Sequence, residues 1–352
     1  MAGVSRRDFL QQAGGASAAL AFMVANGITL DASPLGLPIG AQAWPHRARI
    51  GANSYAGLAS LLKDMKAIGL DTIELVSPSG DFASITDGKQ VRKALDDNGM
   101  KCPSAHFRGV KTNLPTLITW AHDIGMTHMS MASMSGPMVN GVTTLEAVKQ
   151  TCDEHNKLGA IAKKEGLQMM THNEGFENSR LADGRLTYPV LLEYLDPDVM
   201  KMQFQMSSMR TIGDPVMYFT MYPGRFASAH LQGVDTTAGM NPMGRGTLTV
   251  KPTPEQLAAQ EAARAARAGG AGAAAAGGTA GGGRAAAGAP AGAAATGRGG
   301  GGGGGLAVGE DTVDWVKVFQ AAKIGGLKNY FVEQNWDVTV RSVAFLKTLN
   351  VA

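Results

Sequence analysis

Apolar positions along this chain recur with two alternating periods. Leu58, Leu61, Leu62, Met65 and Ile68 fall three or four residues apart, the spacing of one helical face, and Gly69 follows as a stop. Short apolar runs separate such segments. ARIGANS, DTIELVS, KCPSAHF, THMSMAS, LQMMTH, VMKMQFQMS, RFASAHLQG and KNYFVEQN read as eight strands. A helical pattern follows each of them. Thr143 with Glu146 has the form of a capping box, and Asp214-Pro215 supplies an N-cap and first helical residue. Asp311 or Thr312 is the expected cap of a helix stopped by Gly325. Such alternation requires parallel strands with helical crossovers. Eight units predict an α/β fold, a closed (β/α)8 TIM barrel. An open doubly wound sheet would want a glycine-rich phosphate turn after its first strand, which IGANSYAG does not supply.

The rhythm breaks at about residue 236. A low-complexity Gly/Ala-rich insertion, 236–308, separates strand seven from the helix before strand eight. Glycine costs the most backbone entropy and alanine offers little area to bury, so disorder is expected there. A basic tether is the functional alternative for this tract. At the other end, SRRDFL precedes AGGASAALAFMVANGITL, the layout of a twin-arginine export signal. Ala41-Gln42-Ala43 offers an A-x-A cleavage site, giving a signal peptide over 1–43 and a barrel over 44–352. The expected location is the periplasm, and the expected partner is the twin-arginine export machinery. The net charge of +3 gives no case for a nucleic-acid partner. Cys102 and Cys152 form no CxxC, which excludes a structural zinc site of cysteine ligands.

In a barrel the C-terminal strand ends converge on one rim. Strand three brings His106 and Arg108, and strand five His172 and Glu174. Strand six brings Gln203 and Gln205, strand seven His230 and Gln232, and strand eight Glu333, Gln334 and Asn335. Each alone reads equally well as a satisfied polar residue. Together they are a constellation, because a bulky apolar strand such as NYFVE has no packing reason to end in a carboxylate. Imidazole and carboxylate suit Mn, Zn, Fe or Co better than Mg. A metal there could polarise a carbonyl, with Glu333 or Glu174 as base at the adjacent carbon.

The runs LLKDMKAIGLDTIELVS, CPSAHF, THNEGFE, GDPVMYFTMYPGRFASAHLQGVD and KNYFVEQN resemble the sugar phosphate isomerase/epimerase family, the xylose-isomerase-like TIM barrels, over about residues 47–235 and 308–350. The resemblance implies a divalent metal at the barrel mouth and proton transfer beside a ketone. It implies His172, Gln205, His230 and Glu333 as metal ligands, and Glu333 and Glu174 as catalytic residues. His106, Arg108, Gln203 and Gln232 are the expected substrate contacts. Two departures stand out: the family's HNH reads HNE here, and Gln205 replaces an aspartate. A carbohydrate substrate and an assembly of like chains also follow from the resemblance. The alternatives are a lyase acting on keto-sugars, a degenerate sugar-binding barrel, and a subunit of a larger exported assembly.

Overall fold

The computed structural model describes residues 33–236 and 306–351. Most of the segment 1–43 expected as a signal peptide and almost all of the Gly/Ala-rich insertion lie outside the described residues. Eight parallel strands close a barrel: β1 (Ile39–Gln42), β2 (Thr72–Val76), β3 (Lys101–His106), β4 (His128–Met131), β5 (Gln168–His172), β6 (Met200–Gln205), β7 (Phe226–Leu231) and β8 (Asn329–Val332). Each strand pairs with its sequence neighbours, and β1 closes the ring on β8. The helices outside are α1 (Arg47–Ala67), α2 (Gly88–Asp97), α3 (Val110–Ile124), α4 (Leu145–Lys164), α5 (Thr187–Tyr194), α6 (Pro215–Met221), α7 (Trp315–Gly325) and α8 (Trp336–Leu346). The expected (β/α)8 barrel is the observed fold.

Its first strand is not where the apolar pattern placed it. ARIGANS lies in α1, which breaks at Ser54 (φ 52°). The pairing strand is the four-residue IGAQ, whose Ile39 lies against Tyr330 of β8 and Gly40 against Thr72 of β2. Gly40 is required there. A side chain on it would overlap Thr72 Oγ1 and the Phe331 ring, which fills the barrel beside it. The barrel therefore begins at Ile39 rather than at residue 44. A cut after Ala43 would remove β1 and strip the edges of β2 and β8.

Two caps also shift. Thr144 rather than Thr143 caps α4, accepting from Ala147 N at 3.1 Å. Asp314 caps α7, accepting from Lys317 N at 3.1 Å. Asp311 instead accepts from Val234 N and Trp315 Nε1 (3.0 and 2.9 Å) and so joins the two ends of the chain that flank the insertion. Asp214 caps α6 as expected, accepting from Val216 N.

The strands divide their side chains by parity. Ile73, Leu75, Ala105, Met129, Met202, Phe204, Leu231 and Tyr330 join the apolar layer under the helices. Glu74, Ser104, Ser130, His172, Gln203, Gln205, Ser228 and His230 are all fully buried polar residues on the intervening positions. A TIM barrel interior is ordinarily filled with branched apolar side chains. Here a polar network fills much of it and reaches up to the mouth.

A chain beginning at Ser33 should fold and melt cooperatively, whereas one beginning at Trp44 should be insoluble or lack a cooperative melt. Circular dichroism of the two truncations checks this; equal melting would remove β1 from the barrel's requirements.

Candidate active site

The centre of the network is Glu74, in the middle of β2 and without exposure. Its Oε1 accepts from Ser104 Oγ at 2.6 Å and Gln203 Nε2 at 2.8 Å. Its Oε2 lies 2.5 Å from His230 Nε2 and 3.4 Å from His106 Nε2. A buried carboxylate persists only when its lone pairs are met in this way. Burial by itself would raise its pKa. The imidazoles of His106 and His230, with the hydrogen bonds from His230 and Ser104, hold it instead at about 2.

His230 is bracketed by acids. Its Nδ1 faces Glu333 Oε2 at 3.3 Å while Nε2 binds Glu74. Burial would lower its pKa, but Glu74 and Glu333 outweigh burial and push it up to about 10. Glu333, just past β8, also accepts from Gln205 Nε2 at 2.7 Å and Gln232 Nε2 at 3.0 Å. The same Gln205 nitrogen donates to Glu174 Oε1 at 3.1 Å. One amide thus stands between two carboxylates, Glu333 buried and Glu174 exposed.

His172, the last residue of β5, differs from His230. Its Nδ1 lies 3.2 Å from Ala132 O, which fixes the tautomer with the proton on Nδ1 and the Nε2 lone pair turned to the cluster. Burial, then the nearby His230 and His106, drive its pKa well below the ordinary value, so the ring is neutral. The loop carrying Ala132 is tied down by buried Glu177. That carboxylate accepts from Thr171 Oγ1, Ser133 Oγ and Met134 N at 2.6, 2.7 and 2.8 Å.

The donor set suits a divalent cation. His172 Nε2 and Gln205 Oε1 are buried and meet no partner in good hydrogen-bonding geometry among the described residues, although the Gln205 side chain lies close enough to the His172 ring to favour its protonated form. Glu74 anchors the far nitrogen of His230, so that Nδ1 is the atom turned toward Glu333, the carboxylate–imidazole arrangement that orients metal ligands. Ligand atoms of His172, Glu174 and Glu333 lie within 4.8 Å of one another, as do those of His106, His172 and His230. The residues expected as ligands from β5, β6, β7 and β8 therefore stand together, with Glu174 beside them.

The expected substrate contacts divide. His106 is in the cluster, its ring centroid 5.0 Å from those of His172 and His230. Gln232 stands beside Glu333. Arg108 is exposed and stacks over Trp44 at 5.1 Å. Gln203 must be corrected: it lies below the mouth and is fully used within the network. Its Oε1 accepts from Ser130 Oγ (2.6 Å) and faces His106 Nε2 (2.9 Å), while Nε2 donates to Glu74 and Ser228. Nothing is left for a substrate. The residues that strand-end reasoning missed are Glu74 and the serines of β3, β4 and β7 around it.

The Glu74–His230 pair makes stability pH-dependent. The elevated His230 contributes stability that is complete below its ordinary pKa of 6.5 and lost as pH rises through about 10. The depressed Glu74 contributes stability present above its ordinary 4.5 and lost as pH falls through about 2. Metal-free protein should thus lose melting temperature between pH 6.5 and 10, and Glu74→Gln should flatten that loss. At pH 6 the substitution should cost about 3 kcal/mol, roughly 6–12 °C for a domain of this size. A neutral Glu74→Gln with an unchanged pH profile would contradict the pairing.

No protein-family model matches the chain, and no curated protein matches it in sequence. Solved structures do match its fold. A sugar phosphate isomerase/epimerase from Parabacteroides distasonis aligns over 90% of this chain and 98% of its own, with TM-score 0.59 and 16% identity. A xylose isomerase-like TIM barrel protein from Mycobacterium smegmatis, in complex with magnesium, aligns over 90% and 97%, with TM-score 0.55 and 12% identity. An L-ribulose 3-epimerase aligns over 89% and 86%, with TM-score 0.51 and 12% identity. At these identities the likeness is one of fold: the chain has the closed barrel of the xylose isomerase-like structures.

Proposed function

We propose that the chain is an exported, divalent-metal-dependent isomerase or epimerase that moves a proton at the carbon beside a carbonyl of a sugar or keto-sugar. One observation carries this reading: His172, Gln205, His230 and Glu333, from four successive strands, gather at the mouth with a second carboxylate, Glu174, on the other side of the Gln205 amide. The fold neighbours that are sugar isomerases and epimerases support it. These four residues would hold the metal, which when bound supplies a Lewis acid for the carbonyl oxygen. Mn, Zn, Fe or Co suits the two imidazoles better than Mg.

The chain's own groups do the rest. Gln205 Nε2 donates to both carboxylates and so sets where each acid faces. Glu333, nearly enclosed, takes the proton from carbon. Glu174, open to solvent, returns one on the other side. Glu74 holds His230 in place beneath Glu333. His172 keeps its proton on the atom facing Ala132 and its lone pair toward the site. Export rests on the SRRDFL motif, and a cleavage upstream of Ile39 would leave β1 in the barrel.

Protein purified without chelator should carry about one divalent ion per chain. In deuterated water it should exchange the proton beside the carbonyl of a ketose, read by NMR. Glu333→Gln should slow that exchange by roughly 10²–10⁴-fold. A metal-free protein unaffected by added Mn or Zn, or exchange that survives Glu333→Gln, would overturn the proposal.

A further inference from the structure

The β1–β8–β7 side of the mouth holds buried polar groups that the cluster does not use. Ala41 of β1 pairs with Val332 of β8, and Val332 pairs with Leu231 of β7. One residue further on, Gln42, Glu333 and Gln232 therefore lie side by side across three strands. Gln42 is fully buried; its Oε1 accepts from Trp44 N, and its Nε2 has no partner among the described residues. Gln232 is buried; its Nε2 is committed to Glu333, and its Oε1 has no partner. His46, also buried, packs edge-on against Trp336 at 5.7 Å, and its Nε2 has no partner.

An enclosed amide or imidazole costs free energy when its hydrogen bond is missing, and a ligand that makes the bond recovers it. Gln42 and Gln232 flank the carboxylate proposed as base, one on each side, and His46 follows in the turn after β1. They offer a donor in Gln42 Nε2, an acceptor in Gln232 Oε1, and in His46 a ring nitrogen. None carries charge: burial, then Arg49, pushes His46 down to about 4. Of the nearby cations, Arg47 is on Asp81 at 3.2 Å and Arg49 on Asp64 at 2.7 Å, while exposed Arg108 stacks over Trp44. Within these three groups a phosphate would find neutral donors only and would meet the unbonded acceptor of Gln232. Vicinal hydroxyls, each both donor and acceptor, match the mixed set.

We propose that Gln42, His46 and Gln232 form a hydroxyl-binding subsite beside Glu333 that takes the uncharged polyol end of the substrate, so that the enzyme acts on a neutral sugar rather than a phosphorylated or acidic one. This rests on the reading of the site as a sugar enzyme and narrows its substrate class.

The test is equilibrium binding, by calorimetry on the full chain with its metal as isolated, of D-fructose, D-tagatose, D-fructose 6-phosphate and D-glucuronate. Variants are Gln42→Glu, which keeps the oxygen that Trp44 N requires and removes the donor, and His46→Phe, which keeps the ring; a melt of each confirms folding. A neutral ketose should bind the parent protein, and each variant should weaken it at least tenfold. The phosphate and the uronate should bind more weakly than the neutral sugar. The inference falls if no neutral ketose binds, if both folded variants bind as the parent does, or if the phosphate or uronate binds best, for example through Arg108. Binding is read independently of turnover. Gln42-dependent binding without proton exchange would retire the proposed reaction and keep the subsite; exchange with Gln42-independent binding would retire the subsite alone.

Discussion

The ion pair between Glu74 and His230 is the constraint on which the site depends. A carboxylate in the middle of a barrel strand has no water to solvate it, so the fold must supply hydrogen-bond donors from several directions. Ser104, Gln203 and His230 do so from β3, β6 and β7. A small error in the register of any of these strands would leave the charge unmet. Such a buried pair gives little net stability over an apolar filling, but breaking it is costly. Its effect is to fix orientation: with Nε2 held by Glu74, His230 can turn only Nδ1 toward Glu333. The polar interior is thus the base on which the mouth is built.

Most of the fold was legible in the sequence because helices and central strands carry strong periodicity. The exception is instructive. IGAQ has four residues, one of them glycine, and no apolar alternation, so pattern alone gives it no weight. It is a strand because β8 and β2 pair with it on both sides, and Gly40 is there because Phe331 needs the room. ARIGANS looked strand-like over a few residues but continues into the helical stripe from Leu58 onward.

The strand-end residues converge as their parity predicts, whereas the polar residues below them were missed or misread. Parity correctly put His172 and Glu174 on one side, and the rim residues of β5 to β8 do meet. Glu74 was overlooked although TIELV carries the same signal as NYFVE: a carboxylate in an apolar strand has no packing reason to be there. Gln203 was misread for the converse reason. Its polarity points inward, as expected, but its hydrogen-bond capacity is consumed by Glu74, Ser130, Ser228 and His106. Sequence gives the direction of a side chain in a strand, not whether its partners are already provided.

Gln205 stands where the resemblance to the xylose-isomerase-like barrels implies an aspartate. Its amide nitrogen draws Glu174 and Glu333 to the same point, and its oxygen remains with a lone pair to give. The central claim is that this set from β5 to β8 holds one divalent ion. Anomalous diffraction from crystals of the Mn-loaded protein tests it most directly. The account predicts a single peak within about 2.0–2.4 Å of His172 Nε2, His230 Nδ1 and a Glu333 oxygen. A peak centred on the three imidazoles of His106, His172 and His230 without Glu333, or no peak at the mouth, would contradict it.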